Sequence, residues 1–337
     1  MSGPGRVTHV AIGDPQAPFE TFLQVLDAHG LLGPDRQLRP GVHLVSMGDH
    51  FDFGKPEVRA QATTDGLAIL TWLASHTPEQ TTILLGNHDL ARVCELGDYS
   101  DESFQAAHAE ARAIYVQQGD ESEFMARHPS VPDAESLARD YACFSAAQRL
   151  LVTDLLRSGR FRLAAHHAGL LMVHAGVTRA DLASVGIAAT SAEGVSDALN
   201  ALLDERVAAW TGGPLDLGPL HQPGSAAGGE GRGVLYHRPC DPTFEEAHKL
   251  TGPPRRRYDP RDLPDAFAQV IGHVRDGKCR EMMPAWGPPE PGLDAVLRSL
   301  AVRGESVEYA PTCMPDARLY FTDGGMLHSA PEAYQLL

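Results

Sequence analysis

Cysteine is scarce in this sequence, and no pattern would pair the cysteines that are present. The five cysteines are scattered, odd in number and without a Cys-x-x-Cys pair. Such a set argues against a disulfide framework and against a zinc knuckle, and it favours a reducing compartment. No apolar run reaches the roughly 18 residues that a membrane-spanning helix needs, and the N-terminus lacks the apolar segment of a signal peptide. We therefore expect a cytoplasmic protein without a membrane segment.

Basic residues are also scarce relative to acidic ones. The 337 residues include 28 Lys and Arg against 44 Asp and Glu, which gives a formal net charge of −16. An acidic surface repels nucleic-acid phosphates, so a generic polynucleotide-binding protein is disfavoured. A phosphorylated substrate remains compatible, because a bound cation can reverse the local charge.

Apolar segments alternate with helical stretches in the first ninety residues. Val7–Gly13, Val42–Met47 and Thr81–Leu85 are typical of buried strands, and Phe19–His29 and Pro56–Ser75 between them are typical of helices. This alternation predicts an α/β fold with a buried sheet. Open α/β sheets bind ligands at the carboxyl ends of their strands.

The middle of the chain has a different composition. Residues from about 90 to 160 are rich in Ala, Glu, Gln and Arg, and we expect a helical insertion that caps the site or simply packs as core. Residues from about 205 to 265 predict an irregular loop region, because Gly and Pro are frequent there. Since no linker or repeat is evident, a single domain over residues 1–337 is expected. No feature indicates an oligomeric state.

Five polar residues follow β-like segments along the whole chain: Asp14, Asp49, Asn87, His174 and His273. Glycine precedes four of them, and glycine lets the backbone turn tightly beside a bound ion. Carboxylate, imidazole and amide ligands suit Mn, Fe, Zn or Co better than a thiolate-preferring metal. Two such ions can activate water and hold a phosphoryl group for in-line attack.

The order of these motifs resembles that of calcineurin-like metallophosphoesterases. The motifs read GDPQ, GDHFD, GNHD, HAG and GHV, between about residues 7 and 325. HAGV, and GH followed by DGGM, are similar to the phosphoprotein-phosphatase branch. The segment LLGNHDLARVCELGDYSDESF resembles bacterial Shewanella-like phosphatases, and diadenosine-tetraphosphatase-like enzymes are a nearby relation. The resemblance implies a four-layer αββα sandwich with a helical cap insertion.

The resemblance also implies two divalent metal ions and assigns their ligands. Mn²⁺ is the first expectation, with Fe, Zn, Co or Ni as alternatives. Asp49 would bridge both ions, and Asp14 would bind the first. Asn87, His174 and His273 would complete the second.

A general acid follows from the same resemblance. His88 would protonate the leaving group, and Asp52 would orient the His88 ring. A hydroxide that bridges the ions would attack phosphorus directly, so no covalent enzyme intermediate is expected.

Four positions depart from the family pattern. Gln16 stands where the family has histidine, and its carbonyl oxygen would make a weaker or altered first metal site. Phe53–Gly54 replaces the Arg-Gly whose arginine grips phosphate in protein phosphatases. The last motif reads GHVR where the family has GHxH, so it contains only one histidine, His273. Asp89 follows GNH where the family has glutamate.

The missing arginine leaves the substrate-phosphate contact open. Arg238 resembles a W-x-R segment of Shewanella-like enzymes and is favoured, because a bidentate arginine suits phosphate. Arg92, Arg275 and Arg59 are alternatives, and His50 is a candidate to line the cleft.

The sequence thus favours a metal-dependent phosphatase that acts on a phosphoprotein or on a small phosphometabolite. A phosphodiesterase or dinucleoside-polyphosphate hydrolase is an alternative. A second alternative, motivated by Gln16, is an inactive, metal-poor relative that serves as a binding module.

Overall fold

The computed structural model describes residues 7–54, 56–221, 233–243, 257–287 and 294–337. Its first sheet is parallel and four-stranded, in the order β1-β2-β3-β4. Parallel neighbours require a crossover, and helices α1 and α2 supply the first two crossovers. The bounds are β1 Thr8–Ile12, α1 Phe19–Ala28, β2 Val42–Ser46, α2 Arg59–Ser75, β3 Thr81–Leu84 and β4 Phe161–Arg162.

The second sheet is mixed and six-stranded, in the order β11-β10-β12-β9-β6-β5. Strands β6, β9 and β12 are parallel to one another, whereas β5, β10 and β11 pair antiparallel. A two-residue parallel ladder, β7 with β8, lies apart from both sheets. The bounds are β5 Ala164–His167, β6 Leu170–Val173, β7 Arg238–Pro239, β8 Arg257–Tyr258, β9 Ala268–Ile271, β10 Arg298–Arg303, β11 Ser306–Ala310 and β12 Ala317–Phe321.

The remaining helices are α3 Asn87–Leu90, α4 Asp101–Gln117, α5 Ser122–Arg127, α6 Ala146–Arg157, α7 Arg179–Ser184, α8 Ala192–Ala209 and α9 Asp276–Met282. Hydroxyl caps begin several of them. The side chain of Ser100 accepts a hydrogen bond from the Ser103 N–H at the start of α4, and Ser145 does the same for Gln148 at α6. Such caps satisfy amides that have no partner inside the helix.

The two sheets share an apolar layer. Ala11, Val45 and Leu84 of the first sheet region cluster with Met172 and Val270 of the second. Helix α2 packs on β3, and α8 packs on β5 and β6. The α/β class and the parallel strands agree with the expectation from the sequence, whereas the complete four-layer order stays a prediction.

The expected insertion contains its own apolar cluster, which includes Phe104, Phe124, Leu137 and Tyr141. Its helical structure is not continuous, because a π-helix over Ser136–Asp140 ends at Tyr141 and α6 begins only after Ser145. Helix α6 packs instead on α2 and α8.

Helix α8 continues to Ala209, so the first residues of the expected irregular region are helical. Parts of that region, residues 222–232 and 244–256, lie outside the described residues. Across the part of the chain that the structure describes, no helix has the length and apolar character to cross a bilayer.

Candidate metal centre

The strand ends bring the predicted metal ligands into one cleft. Asp14 follows β1, Asp49 follows β2, and Asn87 begins α3 just after β3. From the second sheet, His174 follows β6 and His273 follows β9. The cleft is lined by Asp14, Gln16, Asp49, His88, Arg238, His273, Arg275, Lys278 and Asp323.

Four side chains bring oxygen and nitrogen atoms close together in the cleft. His174 Nδ1 donates a hydrogen bond to the Met47 carbonyl at 2.7 Å, and its Nε2 lies 3.4 Å from Asp49 Oδ2. Oδ1 of Asn87 lies 3.1 Å from His174 Nε2. The same end of the amide lies 3.1 Å from His273 Nδ1 and 3.3 Å from Asp49 Oδ2.

The Asn87 amide has two orientations with different consequences. With its NH₂ group turned inward, its two N–H groups could donate to two of the nearby acceptors, which are His174 Nε2, His273 Nδ1, Asp49 Oδ2 and the Leu235 carbonyl, and the amide would be satisfied without a cation. With its oxygen inward, it adds an oxygen ligand atom beside those of Asp49, His174 and His273, and a cation would hold these atoms together. The ligand atoms of Asp49, His174 and His273 all lie within 4.8 Å of one another. This geometry fits a metal ion.

Asp14 supplies a second indication of a cation. Its Oδ2 accepts a hydrogen bond from the His273 N–H at 2.8 Å, whereas its buried Oδ1 has no hydrogen-bond partner among the described residues. Burial, and then the carboxylates of Asp323 and Asp49, raise the pKa of Asp14 well above its usual range. A cation would relieve this crowding of negative charge.

The cleft shifts the pKa values of His174 and His273 in opposite directions. Burial and the nearby Arg238 guanidinium lower the pKa of His273 well below its usual range, so its ring is neutral and can act as a ligand. Burial also acts to lower the pKa of His174, but the Asp49 carboxylate outweighs it and raises that pKa. The Asp49 carboxylate thus favours the protonated ring of His174, and a metal ion at that ring would compete with the proton.

Gln16 lies where the first metal site is expected. Its Nε2 donates a hydrogen bond to the Phe51 carbonyl at 2.9 Å, and the residue lines the cleft. Because the amide nitrogen is engaged, Oε1 is the atom that remains for a hard cation.

The backbone around the cleft is in uncommon conformations. Asp49, Asp52 and His273 have φ angles of 55°, 64° and 59°, in the left-handed region that disfavours a non-glycine residue. A side chain at Gly86 would collide with Asp49, and one at Gly272 would collide with the Asp14 carboxylate. Strain of this kind persists at functional sites where the surrounding structure holds it.

Asp89 holds the loop that carries Asp49. Its buried carboxylate accepts hydrogen bonds from the N–H groups of Asp49, His50 and Gly86 at 2.9–3.0 Å. His50 is fully buried between Asp89, 3.0 Å from Nδ1, and Ser46, 2.9 Å from Nε2. Both ring nitrogens of His50 thus contact interior groups, and His50 does not belong to the described lining of the cleft.

His88 and Asp52 form a hydrogen-bonded pair at the cleft. His88 Nδ1 lies 2.9 Å from Asp52 Oδ2, and His88 Nε2 lies 3.9 Å from Asp49 Oδ2. Burial alone would lower the pKa of His88, but the carboxylates of Asp49 and Asp52 outweigh it and raise that pKa to about 9. A bound cation would lower the value again.

Arg92 supports this pair and does not reach the cleft. Its Nη1 lies 2.7 Å from Asp52 Oδ2, and its Nη2 donates to the Cys143 carbonyl at 2.7 Å. The guanidinium is fully buried, 4.8 Å from the centre of the Phe51 ring. Against the effect of burial, it lowers the pKa of Asp52 to about 2. Arg92 thus does not belong to the described lining of the cleft, and its expected contact with the substrate phosphate stays a prediction.

Arg59, another alternative for phosphate, is engaged by the insertion. Its guanidinium lies 2.6 Å from His108 Nε2 and donates to the Ala138 carbonyl at 3.1 Å. It does not belong to the described lining of the cleft.

The basic side of the cleft consists of Arg238, Arg275 and Lys278. Arg238 lies in the short ladder β7–β8, and Arg275 Nε lies 3.9 Å from Asp323 Oδ2. Lys278 and Asp323 were not predicted as site residues. Asp323 is the acidic residue of the DGGM motif, and Lys278 follows the GHVR motif on α9, so their proximity to known motifs was the available signal.

Comparisons with known proteins find weak structural similarity. No model of a known protein family matches the chain, and no curated protein sequence matches it. The fold is similar to a solved cold-active protein tyrosine phosphatase, with a TM-score of 0.42 and 14% identity, over 96% of this chain and 71% of that one. A cold-active protein-tyrosine phosphatase of a psychrophilic Shewanella species gives a TM-score of 0.40 and 13% identity, over 96% and 72% of the chains. At this level the function must be inferred from the site.

Proposed function

We propose that the protein is a metal-dependent phosphatase that hydrolyses a phosphomonoester. One observation carries the proposal: lone-pair atoms of Asp49, Asn87, His174 and His273 converge at the cleft where His88 is held by a carboxylate. The motif order supports the finer proposal of a calcineurin-like αββα sandwich in the phosphoprotein-phosphatase branch, formed as one domain with the helical insertion as a cap.

Two groups of side chains would hold the ions. Asp49, Asn87, His174 and His273 would bind one ion. Asp14 and Gln16, with a shared Asp49, would bind the other. When bound, the ions stabilise charge on the phosphoryl oxygens and activate a water for attack. The mixed oxygen and nitrogen ligands favour Mn²⁺, with Fe, Zn, Co or Ni as alternatives.

His88 acts as the general acid in this proposal. Its Nδ1 hydrogen bond to Asp52 fixes the ring and leaves the Nε2 proton for the leaving oxygen. Arg92 keeps Asp52 ionised through a buried ion pair. The acid is thereby oriented before substrate binds.

The basic residues of the cleft bind the substrate phosphate. Arg238, Arg275 and Lys278 place positive charge beside the metal ligands of a protein whose net charge is −16. Arginine suits a phosphate dianion because two of its N–H groups can contact two oxygens. Both a phosphoprotein and a small phosphometabolite present such a group.

A side-by-side assay tests the proposal. The Mn²⁺-loaded protein would be given p-nitrophenyl phosphate, bis(p-nitrophenyl) phosphate and diadenosine tetraphosphate. We expect the monoester to be the preferred substrate and Asp49→Asn to abolish its hydrolysis. A clear preference for either of the other substrates would instead identify a phosphodiesterase or dinucleoside-polyphosphate hydrolase.

Metal content separates an enzyme from an inactive binding module. Elemental analysis of purified protein should find two ions that depend on Asp49. A folded protein that takes up no ion and hydrolyses no substrate would favour the binding module.

A further inference from the structure

A second group of metal-ligand side chains lies away from the cleft. The side-chain donor atoms of Cys94, Glu95 and His221 all lie within 4.8 Å of one another. All three residues are buried, with exposed fractions of 5%, 1% and 6%. None of them belongs to the described lining of the cleft.

Contacts around Glu95 orient its carboxylate. Glu95 Oε1 accepts hydrogen bonds from the Tyr236 hydroxyl at 2.5 Å and from the Tyr141 hydroxyl at 3.2 Å. His221 Nε2 lies 3.4 Å from the same oxygen. The Cys94 thiol donates to the Leu215 carbonyl at 3.0 Å. Glu95 Oε1 is therefore held by these contacts, whereas Glu95 Oε2 remains available as a ligand atom.

One oxygen of this group has no partner. Glu95 Oε2 is buried and has no hydrogen-bond partner within the described parts of the chain. His221 Nε2 makes only the 3.4 Å ion-pair contact with Glu95 Oε1. Buried polar atoms are nearly always hydrogen-bonded, so the unpartnered oxygen in this small group requires an explanation.

We propose that Cys94, Glu95 and His221 bind a divalent cation of the zinc type, at a centre separate from the cleft. Sulfur, nitrogen and oxygen ligands together suit Zn²⁺ and its spectroscopic substitute Co²⁺. A thiolate and a carboxylate bring two negative charges, which the cation balances, and an imidazole nitrogen of His221 is the third ligand atom.

Cation binding would release the proton of the Cys94 thiol. The Cys94 thiol donates its proton to the Leu215 carbonyl, and a cysteine binds a metal ion as the thiolate. As the metal–sulfur bond forms, that proton leaves to solvent, and the cation replaces it. Tyr141 and Tyr236 then orient the ligating carboxylate from behind.

The centre would connect three parts of the chain. Cys94 and Glu95 follow α3, which carries Asn87 and His88. Tyr141 belongs to the insertion, and His221 and Tyr236 belong to the segments between α8 and β7. A cation here would fasten those segments beside the cleft, so its role is structural.

Cobalt spectroscopy tests the site independently of activity. The proposed cleft ligands are oxygen and nitrogen only, so a thiolate-to-cobalt charge-transfer band in the near ultraviolet can arise only from a cysteine site. We expect one such band in the Co²⁺-loaded full-length protein and its loss in Cys94→Ser. Cys279→Ser removes another buried thiol and should retain the band.

Zinc stoichiometry gives a second measurement. Asp49→Asn should lose ions from the cleft yet retain one Zn²⁺, whereas His221→Gln should lose that ion and keep those of the cleft. Circular dichroism would verify that each variant is folded. No charge-transfer band in folded wild-type protein, or a band that survives in Cys94→Ser, would overturn the proposal even where another variant failed to fold.

Discussion

One carboxylate oxygen, Asp52 Oδ2, lies 2.9 Å from His88 Nδ1 and 2.7 Å from Arg92 Nη1. The other oxygen, Oδ1, accepts a hydrogen bond from the Cys143 N–H at 2.8 Å. The imidazole on the cleft is thus oriented by a carboxylate that a buried guanidinium holds in place. This relationship ties the proposed acid to the insertion and to the interior.

The proposed acid should matter most for poor leaving groups. We predict that His88→Asn lowers kcat for phenyl phosphate by about 10²–10⁴-fold, the usual contribution of general acid catalysis. The loss should be much smaller for p-nitrophenyl phosphate, because p-nitrophenolate leaves without being protonated. Steady-state kinetics on both substrates measures this difference, with the exposed His166→Asn as control. Equal losses on both substrates would assign His88 another role.

Arg92 should behave as a structural residue. We predict that Arg92→Leu destabilises the protein by about 3–5 kcal/mol, because it leaves the buried Asp52 carboxylate without its partner. Urea unfolding measures the loss, and the double variant with Asp52→Asn should recover part of it. A raised KM with unchanged stability would show instead that Arg92 contacts the substrate.

The first metal site should respond to Gln16. Imidazole is a stronger ligand for Mn²⁺ or Zn²⁺ than an amide oxygen. Gln16→His should therefore increase the affinity of the first metal site for its ion by about tenfold, or 1.4 kcal/mol. Gln16→Ala should weaken it. Calorimetric metal titration distinguishes these outcomes, with the exposed Gln37→His as the matched substitution. Unchanged affinity in both Gln16 variants would remove this residue from the ligand set.

Close packing at Gly86 should be needed for metal binding. The methyl group of Gly86→Ala would collide with the Asp49 backbone and carboxylate, so we predict at least about tenfold weaker metal binding, with a stability loss of about 1–3 kcal/mol. Gly277→Ala is the control, because a Cβ there meets open space. Thermal unfolding and metal titration of both variants provide the comparison. Normal metal affinity in Gly86→Ala would contradict the role given to Asp49.

Arg238 should affect substrate binding. Loss of a hydrogen bond between charged groups costs about 1.5–3 kcal/mol, so Arg238→Ala should raise KM and the Ki of inorganic phosphate by about 10–100-fold. Arg303→Ala, which removes an exposed arginine paired with Asp316 and Glu308, should leave both constants unchanged. If Arg238→Ala left the Ki of phosphate unaltered, Arg275 and Lys278 would be the remaining basic residues.

The strands that carry the proposed metal ligands could be predicted because their signal is local. An apolar segment that ends in glycine and a polar residue recurs at Asp14, Asp49 and Asn87, and parallel strands align such ends on one edge. The burial of Arg92 could not be predicted, because its partners Asp52 and Cys143 are distant from it in sequence. The same holds for His50, which a buried Asp89 holds in the interior.

The interruption of the helical insertion and the side-chain group of Cys94, Glu95 and His221 were harder to predict. The helical composition of the expected insertion, residues from about 90 to 160, gives no sign that the chain leaves the helix at Tyr141 and resumes at α6. Cys94 and His221 share no motif, and the absence of paired cysteines pointed away from a zinc knuckle. Their proximity arises only after the segments fold together.

The contact between Asp14 and the N–H group of His273 joins residues that are 259 positions apart. During synthesis, a nascent chain that has emerged as far as Asn87, or even His174, therefore carries an incomplete ligand set. Tight cation uptake at the cleft must wait until His273 has left the ribosome and β9 has joined the second sheet. If the protein binds metal as proposed, metal loading would be a late event in its biogenesis, and ion supply at that moment would determine which cation is bound.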